Sequence, residues 1–209
     1  MADRKDEILA AAIRLADEQG LDAVSMRAVA ELVGVTPMAL YPHVGSKAAL
    51  LDGMMGKMLA ELLPATSARA TWQDRLTDLA HAGRNLTRQH PWLATLVFTR
   101  PSADPRAVRV TDAIYRALVS AGVPEADVPR LERLMGTFVM GYGASEALGR
   151  FSQDNPRGSR GQLPDGELPG HARLAPWLGQ PSDWDAEFRA DLDDLKQLIE
   201  LKARPRRDD

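Results

Sequence analysis

The residues in this chain best placed to do chemistry are not those of a catalyst. They lie in SMRAVAELVGVTPMALYPHVGSK, residues 25–47, and their types and order suit contact with a nucleic acid. Thr36 and Pro37 mark a helix start: a capping hydroxyl, then a proline whose missing N–H is harmless at the first helical position. Upstream, Ser25 is placed to cap an earlier helix, on which Val29, Leu32 and Val33 share one apolar face, and Gly34 supplies the turn between the two. Helix, glycine turn, helix is the layout of a helix-turn-helix, whose second helix enters the DNA major groove with its N-terminal residues toward the base edges. In that geometry Thr36 can bond a base edge or a phosphate, while Met38 and Ala39 can touch a thymine methyl. A plain capped helix would need Thr36 and Pro37 but not an exposed Met38. Pro42 removes an intrahelical bond and disfavours helical backbone at Tyr41, so this helix is predicted to be very short, with a distorted last turn.

The elements that must hold this motif are legible as helices throughout. An amphipathic helix over 4–19 precedes it, with Ile8, Ala12, Leu15 and Ala16 inward, and a long helix follows, capped by Ser46 and ended by Pro64. Thr71 with Asp74 makes a capping-box-like start for a helix to Gln89; His90-Pro91 breaks it, and a short helix carries Trp92, Leu96 and Phe98. Asp104-Pro105 restarts a helix that stops at Gly122, and Val128-Pro129 begins another reaching about Phe151. Residues 152–181 are rich in proline and glycine and read as a loop, within which 171–178 has room for a turn of helix. Ser182 with Asp185 caps the last helix, and the charged tail beyond Lys202 reads as frayed. No sustained period-2 alternation appears. The expectation is an all-α protein: a three-helix helix-turn-helix domain over 1–63, then a larger helical domain over 64–209 for ligand binding and dimerisation.

Composition narrows the class. With no cysteine there are no disulfides or thiolate metal sites, which fits a reducing, cytoplasmic setting, and no apolar run approaches the roughly 20 residues of a membrane span. The groupings that support catalysis are missing: no GxSxG elbow, no phosphate-binding glycine loop, and four scattered histidines at 43, 81, 90 and 171. Neither an enzyme, a resident metal nor a cofactor is therefore expected. Charge is the discordant feature. The chain carries −3 overall, and its first 63 residues hold six Lys/Arg against nine Asp/Glu. So few cations imply few phosphate ion pairs and a shallow salt dependence.

The order Arg27, Ala30, Gly34-Val35, Leu40-Tyr41, His43-Val44, Ser46-Lys47 and Leu50-Leu51 resembles the DNA-binding domain of the tetracycline-repressor (TetR) family. The likeness is close over residues 6–63. It continues more loosely from Thr71-Trp72-Gln73 to Phe98-Thr99-Arg100-Pro101, which looks like the tetracycline-repressor type of ligand domain. The resemblance implies a dimeric repressor that binds a palindromic operator and is released by a small molecule. It carries phosphate-contacting roles onto Tyr41, His43 and Lys47, and a place at the start of the preceding helix onto Ser25 and Arg27. It also puts Phe98, Thr99 and Arg100 on an inducer cavity and a pocket acid near Glu146, which either meets a ligand or cation or pairs with an arginine. Trp92, Phe138, Tyr142 and Trp177 can wall such a cavity or simply fill a core. Tetracycline-binding relatives have a histidine upstream of Thr-Arg-Pro; residues 93–97 hold none, which argues for a mostly apolar effector over a metal-chelated tetracycline.

Dimerisation is expected through a four-helix interface built from the two longest C-terminal stripes: Leu131 and Met135 on one helix, Phe188, Leu192, Leu195 and Ile199 on the other. The alternative is that these stripes only complete a monomer core. A competing function is a helical small-molecule-binding or sequestering protein whose headpiece does not read DNA, for which the acidic headpiece and Pro42 speak.

Overall fold

A computed structural model describes residues 4–63, 71–152, 168–178 and 180–203. Pro64, residues 153–167 of the proline- and glycine-rich stretch, and the tail from 204 lie outside the described residues. Among those described, every regular element is helical. The headpiece contains α1 (Arg4–Gln19), α2 (Met26–Val33), α3 (Tyr41–Val44) and α4 (Lys47–Ala60). The remainder contains α5 (Trp72–Gln89), α6 (Trp92–Thr99), α7 (Pro105–Ser120), α8 (Val128–Ala147), α9 (Pro169–Leu178) and α10 (Trp184–Ala203).

Local chemistry sets most of these boundaries. Ser25 accepts from the Ala28 amide and Ser46 from the Ala49 amide, capping α2 and α4. Gly34, at φ 73°, ends α2 in the left-handed region that a side chain disfavours. Thr71 and Asp74 form the full reciprocal capping box on α5. Two boundaries differ from expectation. α10 is capped by Asp183, whose Oδ1 accepts from the amides of Asp185 and Ala186, rather than by Ser182. And α8 ends at Ala147, short of Phe151.

Two apolar cores run through the molecule. The first joins Ile8, Leu9, Val29, Leu40, Leu50 and Met54 of the headpiece to Leu79, Leu93, Val110 and Met140 of the larger half. The second lies among α5, α7, α8 and α10, around Leu76, Leu118, Leu131, Val139, Phe188 and Leu192. α5 and α8 approach closely because glycines remove the side chains between them: a Cβ on Gly143 would stand 2.6 Å from the Arg84 carbonyl oxygen, and one on Gly83 would stand 2.8 Å from Val139. α4 belongs to both halves. Its Gly53 faces Leu9 of α1, and its Gly56 faces Asp104 at the start of α7.

Candidate nucleic-acid interface and ligand cavity

The recognition segment is short and broken, for the reason Pro42 gives. Pro37–Ala39 forms a single 3-10 turn, Leu40 stays in the right-handed helical region, and α3 restarts with Pro42 in its first turn, where a missing N–H does no harm. Leu40 and Val44 are buried and anchor this turn. Their burial turns Thr36, Pro37, Met38, Ala39, Tyr41 and His43 outward together, all exposed. Met38 is 75% exposed, far beyond what packing would leave to a methionine with only a structural role. Thr36 has cap-like backbone angles, but its hydroxyl accepts no cap bond, contrary to the expected capping role, and stays available. Ser25 is half-buried through its capping bond, while Arg27 and Lys47 are exposed and pair with no described carboxylate. Lys47 opens α4, an unfavourable end for a cation unless an anion is present.

Three of the headpiece acids bond to residues of the larger half. Asp6 faces Lys57 at 3.6 Å and Arg106 at 3.5 Å, while Asp17 Oδ1 lies 2.6 Å from both His90 Nδ1 and Trp92 Nε1. Asp52 accepts from Ser102 at 2.9 Å. Asp104 accepts from Arg106 Nε at 3.0 Å and Nη2 at 2.9 Å, and those bonds hold its carboxyl below the ordinary carboxylate range despite its burial.

The larger half contains an apolar cavity of about 130 Å³ walled by α4, α5, α6, α7 and α8, with Leu59, Leu79, Val110, Val139 and Met140 on its sides. A second compartment of about 260 Å³ adjoins it, sharing Leu59, Val97, Ala107 and Thr111 and reaching Arg100, Pro101 and Ser102. Of the residues expected to meet a ligand, only Arg100 lines this space; its Nη2 also donates to the Ala48 carbonyl in the first turn of α4, at 3.3 Å. The others sit elsewhere. Trp92 is buried in the first core with its indole N–H on Asp17. Phe98 is half exposed, outside the cavity, and the exposed Thr99 hydroxyl donates back to the Thr95 carbonyl. Trp177, on α9, is 67% exposed.

Phe138, Tyr142 and Glu146 serve an internal clasp instead. Phe138 stacks on Phe188 at 5.4 Å, and Tyr142 meets Phe151 and Phe188 edge-on or tilted while donating to the Trp184 carbonyl. Burial pushes the Tyr142 hydroxyl up to about 12, against the pull of Arg84. Glu146 takes the arginine alternative: Arg84 donates to it through Nε at 2.9 Å and Nη2 at 2.8 Å, with Asp185 on the same guanidinium. None of the residues lining the apolar cavity of about 130 Å³ is among those expected to meet a ligand, and the charged one of them is Glu132, which in PRLERL reads as solvated. The available signal was its spacing, four before Gly136 and seven before Val139, which places it on the cavity face of α8.

The expected dimer residues also need correction. Leu131, Met135, Phe188, Leu192 and Ile199 are each at most 4% exposed within one chain, so they have no surface left to offer a partner. Leu195 is half-buried at the edge of the same stripe. Exposed apolar residues on this part of the chain are instead Leu134 on α8, Leu148 just past its end, and Leu201 on α10.

A helix-turn-helix with an exposed recognition turn, joined through a shared helix to an all-α half with an apolar cavity, defines a DNA-binding regulator rather than an enzyme. Residues 8–54 match the family described as bacterial regulatory proteins, tetR family, and residues 63–173 match the tetracyclin repressor-like C-terminal domain. The chain is 30% identical over 190 residues to an HTH-type transcriptional regulator of Saccharopolyspora erythraea, covering 88% of this chain and 79% of that one. It is 32% identical over 157 residues to the class A tetracycline repressor from transposon 1721 of Escherichia coli, covering 74% and 70%. A TetR regulator from Streptomyces coelicolor superposes with a TM-score of 0.79 at 25% identity, covering 97% of this chain and all of that one. ActR from the same organism, in complex with actinorhodin, superposes at 0.81 with 24% identity, covering 98% and 100%. The chain belongs to the TetR family of transcriptional regulators.

Proposed function

We propose that this protein is a homodimeric repressor that binds a palindromic operator through the Met38 face and is released by a small, mostly apolar effector held between α4 and α8. The observation that carries the reading is the double role of α4. Its first turn presents Ser46 and Lys47 beside the recognition segment, and its far end supplies Leu59 and Leu62 to the cavity wall. Close packing at Gly53 and Gly56 fastens it to α1 and α7, so a ligand pressing on Leu59 shifts the headpiece as a body. Such a ligand acts only if it prefers the arrangement in which two headpieces fit the operator poorly. A ligand that accepts from Arg100 would also compete with the Ala48 carbonyl for it.

In the dimer, Thr36, Met38 and Ala39 read bases, while Ser25, Arg27, Tyr41, His43 and Lys47 hold phosphates. The subunits meet along Leu134 and Gly141 of α8 and Leu148 just past its end, spaced seven residues apart, together with Leu198 and Leu201 of α10. A Cβ on Gly141 would meet nothing within 4 Å among the described residues, which leaves room for a partner there.

Fluorescence anisotropy with palindromes from the DNA upstream of the protein's own gene tests this. Binding of one palindrome far tighter than its scrambled version is expected. With two cationic phosphate donors per subunit, the slope of log K against log salt should be about −3 to −4. Equal, weak binding to all sequences would favour the sequestering protein instead.

A further inference from the structure

Glu132 is the only acidic side chain lining the apolar cavity among the described residues. Its carboxylate lies toward the bare backbone of Gly136, one turn further along α8, with Oε1 3.9 Å from the point a Cβ there would occupy. No described residue donates a hydrogen bond to it or forms an ion pair with it. Burial raises its pKa, and the charge of Arg133 opposes that only in part. Other acids near the domain junction have partners: Asp6 and Asp104 have Arg106, Asp17 has Trp92, and Asp52 has Ser102. The cavity therefore keeps one unpaired carboxylate among Leu, Val and Met side chains.

We propose that the cavity selects a ligand joining a compact apolar body to a protonated amine, with the amine on Glu132. The inference rests on the reading of this cavity as the effector site. The apolar walls reward any apolar body of the right size, so they discriminate weakly. The carboxylate supplies the discrimination. A neutral ligand strips water from Glu132 and gives nothing back, an anion is repelled, and an ammonium restores both charge balance and hydrogen bonds. The size is also defined: an apolar cavity of about 150 Å³ holds a benzene ring, and this one measures about 130 Å³ before the adjoining compartment is counted.

Isothermal titration of the full chain with three probes of equal length tests the proposal: 2-phenylethylamine, 2-phenylethanol and phenylacetate. The amine should bind at least tenfold tighter than the alcohol, and phenylacetate should not bind. Glu132→Gln should bring the amine down to the level of the alcohol and leave the alcohol unchanged. Glu132→Leu should do the same with a melting temperature at or above wild type, which separates lost charge from lost fold. Equal binding of amine and alcohol by wild type, or full amine binding by Glu132→Gln, overturns the charge selection while leaving the cavity a ligand site. Failure of all three probes to bind overturns both this proposal and the effector reading of the cavity.

Discussion

Gly56→Ala is the sharpest perturbation of the path between the two halves. In a helix interior alanine is favoured over glycine by about 1 kcal/mol, so propensity alone would raise stability. The structure opposes it. The new Cβ would stand 2.5 Å from Asp104 Oδ1 and 2.6 Å from Asp104 Cβ, and Asp104 cannot swing away cheaply. It is 8% exposed, caps α7 through the Arg106 amide, and holds the Arg106 guanidinium in two bonds. Overpacking of this kind costs about 1–3 kcal/mol, and disturbing the cap adds about 1 kcal/mol. After the propensity gain the expected net loss is about 2 kcal/mol, or roughly 4–8 °C in Tm for a chain of this size. Circular dichroism melting measures it. In an Asp104→Gly background, where both the carboxylate and the Cβ that obstruct it are gone, the same substitution should be neutral or stabilising, a coupling a double-mutant cycle reads directly. A raised Tm for Gly56→Ala alone, or an equal loss in both backgrounds, would refute the argument that packing on Asp104 is why a glycine stands there. Gly53→Ala should cost less, because the group it meets at 2.9 Å is the mobile end of Leu9.

Met38→Glu should abolish operator binding with no change in Tm, since the side chain is exposed and would set a carboxylate against the groove's negative potential; footprinting reads it. Lys47→Ala should weaken all DNA sequences alike and make the salt slope shallower by about 1 per subunit, because a phosphate contact positions without specifying. Leu134→Arg should give monomers in sedimentation that keep the helical circular dichroism spectrum, as the residue is exposed within its own chain. For Asp104 the folded carboxyl titrates below its ordinary 3.8, so its stabilisation is complete above that value and is lost as pH falls through the folded pKa. Asp104→Asn should therefore flatten the acid end of a stability-against-pH curve below about pH 4, measured by urea titration.

The sequence carried the helices well because their signals are local. Thr71 with Asp74, Gly34, Ser46 and Asp104-Pro105 each act within one turn, and each boundary they mark is present. The short recognition turn was legible for the same reason, from Gly34, Thr36-Pro37 and Pro42, while the burial of Leu40 and Val44 that anchors it is seen only in the structure. What an apolar stripe does not say is what will cover it. The α10 stripe was assigned to a second subunit and instead meets α5 and α8 of its own chain, where Phe188 closes against Phe138 and Tyr142. Aromatic residues misled in the same way. Phe138 and Tyr142 have the size to wall a cavity, but the cavity lies on the Gly136 and Val139 side of α8, a third of a turn away. Glu132 escaped because one acid beside two arginines resembles any wet helix face, and only the position of α5 and α7 shows that this face is enclosed.

The first core crosses from headpiece to larger half without a seam: Leu9, Met54, Leu93, Val110 and Met140 belong to one buried cluster. A chimera cut between residues 63 and 64 would pair one protein's half of that cluster with another's, leaving mismatched apolar surface on both. Operator specificity in this lineage is thus better transplanted as a patch than as a module. On the proposed reading, exchanging the exposed side chains at 36, 38 and 39 changes the base-reading face and leaves Leu40 and Val44, the two residues that bind that face to the shared interior, untouched.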